Sequence, residues 1–462
     1  MIVLGWLACT PPPDDPGPPG STAATGDTSD RPATTATTAD TGPAADLPPN
    51  VLLLVLDDMG VDKVAAYGLS AVRTPVLDGL AAEGVRFLNA WAYPTCSPSR
   101  AATQTGRHAR RTGYGSNNNT PDDHFDLAPT DLTLAELLAT DPVHAWSTAL
   151  YGKWHLDDHT PATTEGYGEF GGSLANLDSY AAWTKTLGDG TSRRVTTYAT
   201  TDTVDDGIAA IGRLAEPWFL EISLNAAHDP FEVPPRALYS GPDLAADDPV
   251  LDRERAIVEA ADTELGRLLA AMPADLRART VIVAIGDNGT PKEVFEPGMV
   301  GNGKVSLDES GVRVPFLVAG PVVGAPGSVS SALVSVVDLF PTVAAIAGLD
   351  VSDRVLDGVD LLPVLADPAL PVHTTLWAER FGPNGPDPTV DERATRDATH
   401  KLVVREPGGE VEFHEFPPDA VDAGPNLLTG TMTADQTAVY EAMREDLEAR
   451  TAAMSEDLPW PP

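Results

Sequence analysis

The chain predicts an α/β fold, a large, mostly parallel sheet covered by helices and followed by a smaller C-terminal α+β domain. Three observations carry that prediction. Continuous apolar runs such as Val51–Leu56 and Thr280–Ile285 have the pattern of strands buried on both faces of a parallel sheet, not the alternation of a half-exposed one. Each of these runs stops abruptly at polar residues, Asp57-Asp58 and Gly286-Asp287-Asn288-Gly289. Past residue 365 the apolar runs shorten to Leu376–Glu379, Lys401–Val404 and Val411–His414, followed by an amphipathic helix over Asp435–Met454.

Taken in order, residues 1–9 are a short apolar leader ending Trp6-Leu7-Ala8-Cys9. Residues 10–49 are rich in Pro, Thr, Ala, Gly and Asp, with no aromatic residue and a single base, Arg31. Such a segment cannot bury enough apolar surface to offset its ordering entropy, so it is expected to be a disordered linker. The pair resembles a bacterial lipoprotein leader, which implies an exported protein with a lipid anchor through Cys9, or a periplasmic or secreted form. The only other cysteine is Cys96, so neither is expected in a disulfide.

The first core strand begins at Asn50. Two adjacent carboxylates at its end, Asp57 and Asp58, repel unless a cation or ion pair compensates them; the competing reading is a helix cap. Pro75–Gly84 reads as a helix, and Ala101–Gly106 as another lying behind Cys96. Ala145–Tyr151 and Trp218–Leu224 are further strands, running into Lys153-Trp154-His155 and Asn225-Ala226-Ala227-His228. Ligands gather where strands of open α/β sheets end, so these termini mark one candidate site. Asp57, Asp58, Asp287 and Asn288 together offer hard oxygen ligands suited to calcium or magnesium rather than zinc. Asp-Asn-Gly is also a common turn, and the strand end alone does not decide between them.

Charge excludes one class of partner. The 462 residues carry 30 basic and 68 acidic side chains, a net charge of −38, so no nucleic acid is expected as a partner. Lysine is confined to Lys63, Lys153, Lys185, Lys292, Lys304 and Lys401.

The run Cys96-Ser97-Pro98-Ser99-Arg100, followed by Thr105-Gly106-Arg107, resembles the type I sulfatase signature, C-x-P-S-R and then T-G-R. Taken alone, Cys96 would read as a small buried hydrophobe. Gly152-Lys153-Trp154-His155-Leu156 resembles the family's G-K-W-H-L-G with Asp157 for the last glycine. Lys304 through Pro315 resembles K-x-x-x-x-E-G-G-x-R-V-P with Ser310 for the first glycine. The match runs from about Asn50 to Leu428, giving a catalytic domain over residues 50–365 and a smaller domain over 366–462.

The resemblance implies the alkaline phosphatase superfamily fold: a mixed, mostly parallel sheet sandwiched by helices, with a short antiparallel sheet in the C-terminal domain. It also implies that Cys96 is oxidised to formylglycine by a formylglycine-generating enzyme. One calcium ion per chain would be held by Asp57, Asp58, Asp287, Asn288 and the modified Cys96. Arg100 would fix and balance that residue, Lys153 and His155 would contact its oxygens, Lys304 and His228 would contact the sulfate, and His228 would protonate the leaving oxygen. The implied substrate is a sulfate ester, small molecule or glycan. A phosphodiesterase or phosphonate monoester hydrolase of the same superfamily, and a non-catalytic binder of sulfated glycans, are the competing readings. The acidic composition leans toward small or sparsely sulfated esters.

Overall fold

A computed structural model describes residues 47–69, 71–117, 125–157, 159–385, 388–416 and 423–456. The leader, the linker and Cys9 lie outside the described residues. From Leu47 onward the chain is one compact unit.

Ten strands form the main sheet: β1 Asn50–Leu56, β2 Gly84–Trp91, β3 Ser147–Lys153, β4 Glu169–Ser173, β5 Trp183–Leu187, β6 Ser192–Val195, β7 Trp218–Leu224, β8 Thr280–Gly286, β9 Phe316–Ala319 and β10 Ser328–Ser335. Their order is β10-β2-β9-β8-β1-β7-β3-β4-β5-β6. The central block β8, β1, β7, β3 and β4 is parallel throughout. β9 on one side and β5 and β6 on the other pair antiparallel, making the sheet mixed.

Burial on both faces explains the apolar runs. Along β1, Val51, Leu53 and Val55 join one core and Leu52, Leu54 and Leu56 the other, as the two-residue side-chain period requires. The first core includes Ala101 and Ala102 and the helix Leu339–Ala347; the second includes Leu77 and Leu80 and the helices Ala199–Ile211 and Val250–Ala270. Truncating one of these leucines to alanine removes about 2–5 kcal/mol. Because the central strands are parallel, the ends of β1, β3, β7 and β8 all open on one edge of the sheet.

A second sheet follows, antiparallel in the order β11 Leu376–Gly382, β12 Val390–Arg396, β13 His400–Glu406 and β14 Glu410–Glu415. The helix Ala434–Glu456 packs on it through Met443, Leu447 and Met454 beside Trp377, Leu402 and Phe413. The expected strands at 376, 401 and 411 are present. β12 was not expected: its sequence, Val-Asp-Glu-Arg-Ala-Thr-Arg, is too charged to read as a strand, yet it is paired on both sides.

Candidate active site

The signature run folds as α2, Cys96–Thr105. Helix therefore starts at Cys96 itself, not behind it at Ala101. Pro98 is tolerated because the first turn has no intrahelical use for its missing N–H. Ser99 locks the entry: its hydroxyl accepts from the Tyr93 N–H at 2.9 Å and donates to the Thr95 carbonyl at 3.1 Å. Gly106 ends the helix with φ +68°, and a Cβ there would lie 2.8 Å from Phe340 Cβ. Cys96 and Arg100, four residues apart, share one helix face. The Ser97 N–H donates to Asn117 Oδ1 at 3.0 Å, so one of the free N–H donors of the first helical turn is occupied.

Two carboxylates in an extended strand would point to opposite faces. Asp58 has φ +59°, a left-handed conformation that Asp tolerates better than most residues, and this breaks the alternation after β1. As a result single ligand atoms of Asp57, Asp58, Asp287 and Cys96 all lie within 4.8 Å of one another. Cys96 Sγ is 3.3 Å from Asp57 Oδ1 and 4.0 Å from Asp58 Oδ1. The Asp58 N–H donates to Asp287 Oδ1 at 3.1 Å, and the Asp287 N–H to the Leu56 carbonyl at 3.1 Å, joining the two strand ends.

Three cations meet the three carboxylates. Lys153 Nζ, at the end of β3, is 2.5 Å from Asp57 Oδ2 and 3.5 Å from Cys96 Sγ. Lys304 Nζ is 2.7 Å from Asp58 Oδ1. Arg100 donates to Asp287 Oδ2 through Nε at 3.0 Å and Nη2 at 2.7 Å, and through Nη1 to the Lys153 carbonyl and Ser223 Oγ. His228 lies 3.9 Å from Asp58 Oδ2 through Nε2, while its Nδ1 is 2.7 Å from the Asp229 carbonyl. His155 is buried with φ +58°, and its Nδ1 has no partner among the described residues.

The electrostatics follow from burial. Desolvation alone would raise the Asp57 carboxyl, but Lys153, His228, Arg100 and Lys304 outweigh it and hold the group below the usual carboxylate range. Asp287 is pushed up to about 6 by burial and then by the charge of Asp57. Burial and Asp57 also push the Cys96 thiol above its ordinary value. An unmodified Cys96 is therefore a neutral thiol at pH 7 and a poor nucleophile. His155 is held well below the usual imidazole range, first by burial and then by Lys153 and Arg100.

The donor set fits a hard cation. Asn288 spends its amide hydrogens on Asp58 Oδ1 at 2.8 Å and the Gly289 carbonyl at 2.9 Å. Its Oδ1 is thereby oriented, buried and without a partner among the described residues. A buried unpaired carbonyl oxygen beside three carboxylates is what an oxygen-coordinated calcium would satisfy.

Both departures from the family pattern are accommodated. The Asp157 carboxylate accepts from the His159 N–H at 2.6 Å and from the Thr160 hydroxyl, closing a turn without glycine. Ser310 Oγ accepts from the Gly303 N–H at 3.0 Å and braces the Lys304 loop. Sequence reasoning missed Ser223 and Asn117, which hold Arg100 and Ser97, because a lone Ser or Asn carries no pattern. It also missed Tyr180, whose hydroxyl bonds the Asn225 and His228 carbonyls at 2.6 and 2.7 Å.

Comparison with known proteins places the chain. The sulfatase family profile matches residues 49–349. The chain is 32% identical to rat (Rattus norvegicus) N-acetylgalactosamine-6-sulfatase over 361 residues, covering 70% of this chain and 66%, just under two thirds, of that protein. It is 30% identical to bovine (Bos taurus) arylsulfatase A over 406 residues, 78% of this chain and 75% of that protein. Among solved structures, Ps i-CgsB in complex with k-i-k-neocarrahexaose superposes with a TM-score of 0.72 at 25% identity, covering 89% of this chain and 93% of that one. With a profile match across well over half of its length and relatives at this identity, the chain belongs to the sulfatase family.

Proposed function

We propose that the protein is a sulfuric ester hydrolase that works with a formylglycine made from Cys96 and with one bound calcium ion. The observation that carries this is the meeting of Cys96 with Asp57, Asp58 and Asp287 beside an unpartnered Asn288 oxygen, in a chain of the sulfatase family. Asp57, Asp58, Asp287, Asn288 and residue 96 would hold the metal. Formylglycine supplies a hydrated aldehyde as nucleophile, and calcium supplies positive charge against sulfate oxygens.

The remaining chemistry belongs to the chain's own side chains. Lys153 and Lys304 stand on opposite carboxylates at 2.5 and 2.7 Å and would carry charge developing on sulfate oxygens in a site shielded from water. Arg100, tied to Asp287 and the Lys153 carbonyl, orients residue 96 from one turn along the same helix. His228, whose Nδ1 is occupied by the Asp229 carbonyl, has Nε2 toward the cluster and would deliver the proton to the leaving alcohol. His155, buried with an Nδ1 that has no partner among the described residues, would contact the oxygens of residue 96. The raised thiol of Cys96 supports a modified nucleophile rather than a thiolate. The relatives are named for N-acetylgalactosamine-6-sulfate and aryl sulfates, two different alcohols, so their resemblance bears on the sulfate end of the substrate.

The test is mass spectrometry of the Cys96 peptide from protein made in its native host, alongside turnover of p-nitrophenyl sulfate and bis(p-nitrophenyl) phosphate. Formylglycine at position 96 and preference for the sulfate ester are expected. Active protein carrying only the thiol, or preference for the phosphate diester, would sink the proposal.

A further inference from the structure

Lys304 sits on a loop whose backbone is unusual. Gly303 has φ +73° and Val305 φ +74°, and a β-branched residue keeps a left-handed conformation only where its surroundings over-determine it. The Val305 N–H donates to the Pro94 carbonyl at 2.7 Å and the Lys304 N–H to the Thr290 carbonyl at 3.0 Å. The loop closes on the helical turn Glu309–Val312. There Ser310 takes the Gly303 N–H, and a Cβ on Gly311 would stand 2.2 Å from the Ser306 carbonyl oxygen and 2.4 Å from that of Gly303.

Glu309 anchors that turn. Its buried carboxylate accepts from Lys401 Nζ at 3.0 Å, Arg396 Nη1 at 3.0 Å and Trp91 Nε1 at 3.2 Å. Arg396 ends β12 and Lys401 lies in β13, so both cations come from the C-terminal sheet. Trp91 ends β2, five residues before Cys96. The apolar cluster of Trp91, Leu307, Val312, Leu376, Ala394 and Val403 surrounds them, and a dry setting strengthens charge-assisted bonds.

We propose that Glu309 is a positioning residue through which Arg396 and Lys401 of the C-terminal sheet hold Lys304 beside Asp58. The C-terminal sheet is thereby part of the catalytic apparatus although it contributes no group to the site. The inference rests on the reading of Lys304 as a sulfate ligand for its catalytic meaning, but its geometry can be tested without turnover.

The experiment is acetylation of the full-length protein with an N-hydroxysuccinimide ester, following Lys304, Lys153 and Lys63 by mass spectrometry. In Glu309→Gln, labelling of Lys304 should rise about tenfold through local opening, with Lys153 and Lys63 within about twofold of the parent. Because Glu309→Gln strands two buried cations, the charge-free variant Glu309→Gln/Lys401→Met/Arg396→Met serves as a second, folded test and should show the same Lys304 rise. An unchanged Lys304 rate in either folded variant, or a rise shared by all three lysines, overturns the proposal. On p-nitrophenyl sulfate, adding Glu309→Gln to Lys304→Ala should cost no further kcat/KM, since residues acting as a unit are non-additive; additive losses overturn it too. A parent without sulfate ester turnover would remove the sulfatase reading alone and leave the labelling to decide positioning.

Discussion

Two buried charge clusters share the same pair of loops, and they solve the same electrostatic problem differently. In one, Asp57, Asp58 and Asp287 face Lys153, Lys304 and Arg100. In the other, a few residues further along both loops, Asp62, Glu254 and Glu296 surround Lys63, with Arg255 on Glu296. There the chain supplies the central cation: Lys63 Nζ bonds Glu254 at 2.9 Å, the Val294 carbonyl at 2.5 Å and Glu296 at 3.5 Å. Asp62 also receives the Thr290 hydroxyl at 2.6 Å, riveting one loop to the other. In the first cluster each cation approaches one or two carboxylates from its own direction, and Asn288 Oδ1 stays unpartnered. The rear cluster also has an unpartnered oxygen, Glu254 Oε1, but it belongs to a carboxyl that burial pushes up to about 7 and that can therefore keep a proton of its own. The amide oxygen of Asn288, by contrast, takes no proton and would need a cation from solution.

The sharpest way to separate the clusters is Cys96→Ala. On the proposed mechanism it should lower sulfate ester turnover roughly 10⁴-fold or more, as loss of a nucleophile does, while the melting temperature measured in EGTA stays near the parent's. Retained turnover in purified variant would show that Cys96 is only a packed thiol. Lys63→Met should do the opposite. It leaves Asp62 and Glu296 buried without their central cation, costing about 3–5 kcal/mol of stability, read from denaturant unfolding, with kcat per folded molecule within about threefold of the parent. A large kcat loss with unchanged stability would make the rear cluster part of the chemistry.

Calcium should then stabilise one cluster and not the other. At a hundredfold excess over its Kd a ligand specific to the native state contributes about 2.7 kcal/mol. Melting curves with and without EGTA should therefore differ in the parent and in Lys63→Met, and coincide in Asp287→Asn. Curves that coincide in the parent would remove the metal from the proposal. The smallest effect is expected at Glu254, where burial outweighs the pull of Lys63 and pushes the carboxyl up to about 7. A raised acid binds its proton more tightly when folded, so its contribution is complete below about 4.5 and is lost as pH rises through about 7. Glu254→Gln should flatten that decline in stability between pH 5 and 8 and change the value at pH 5 by less than about 1 kcal/mol. A variant with the parent's slope would place the decline elsewhere.

Legibility along the chain tracked burial. β1, β3, β7 and β8 were readable because they lie under helices on both faces, which demands unbroken apolar side chains. β4, β5 and β6 were not: Glu-Phe-Gly-Gly-Ser and Ser-Arg-Arg-Val sit toward one edge of the sheet, where polar residues and glycine suffice. The long helix Val250–Ala270 escaped notice because its buried face includes Glu254, Asp262 and Glu264, whose partners Lys63, Leu77 and Thr201 are distant in sequence.

By itself the sequence determined the parallel core, the strand ends at which chemistry gathers and, through the Cys96 motif, the resemblance to one enzyme family. These are local properties: apolar period, short motifs and the residue types that terminate a strand. Only the tertiary structure decided that Asp58 turns left-handed to bring its carboxylate beside that of Asp57, that Asn288 keeps a free oxygen, and that Glu309 ties the Lys304 loop to a sheet about ninety residues away. Such features depend on side chains meeting across more than two hundred positions in places, and no spacing within a segment encodes them.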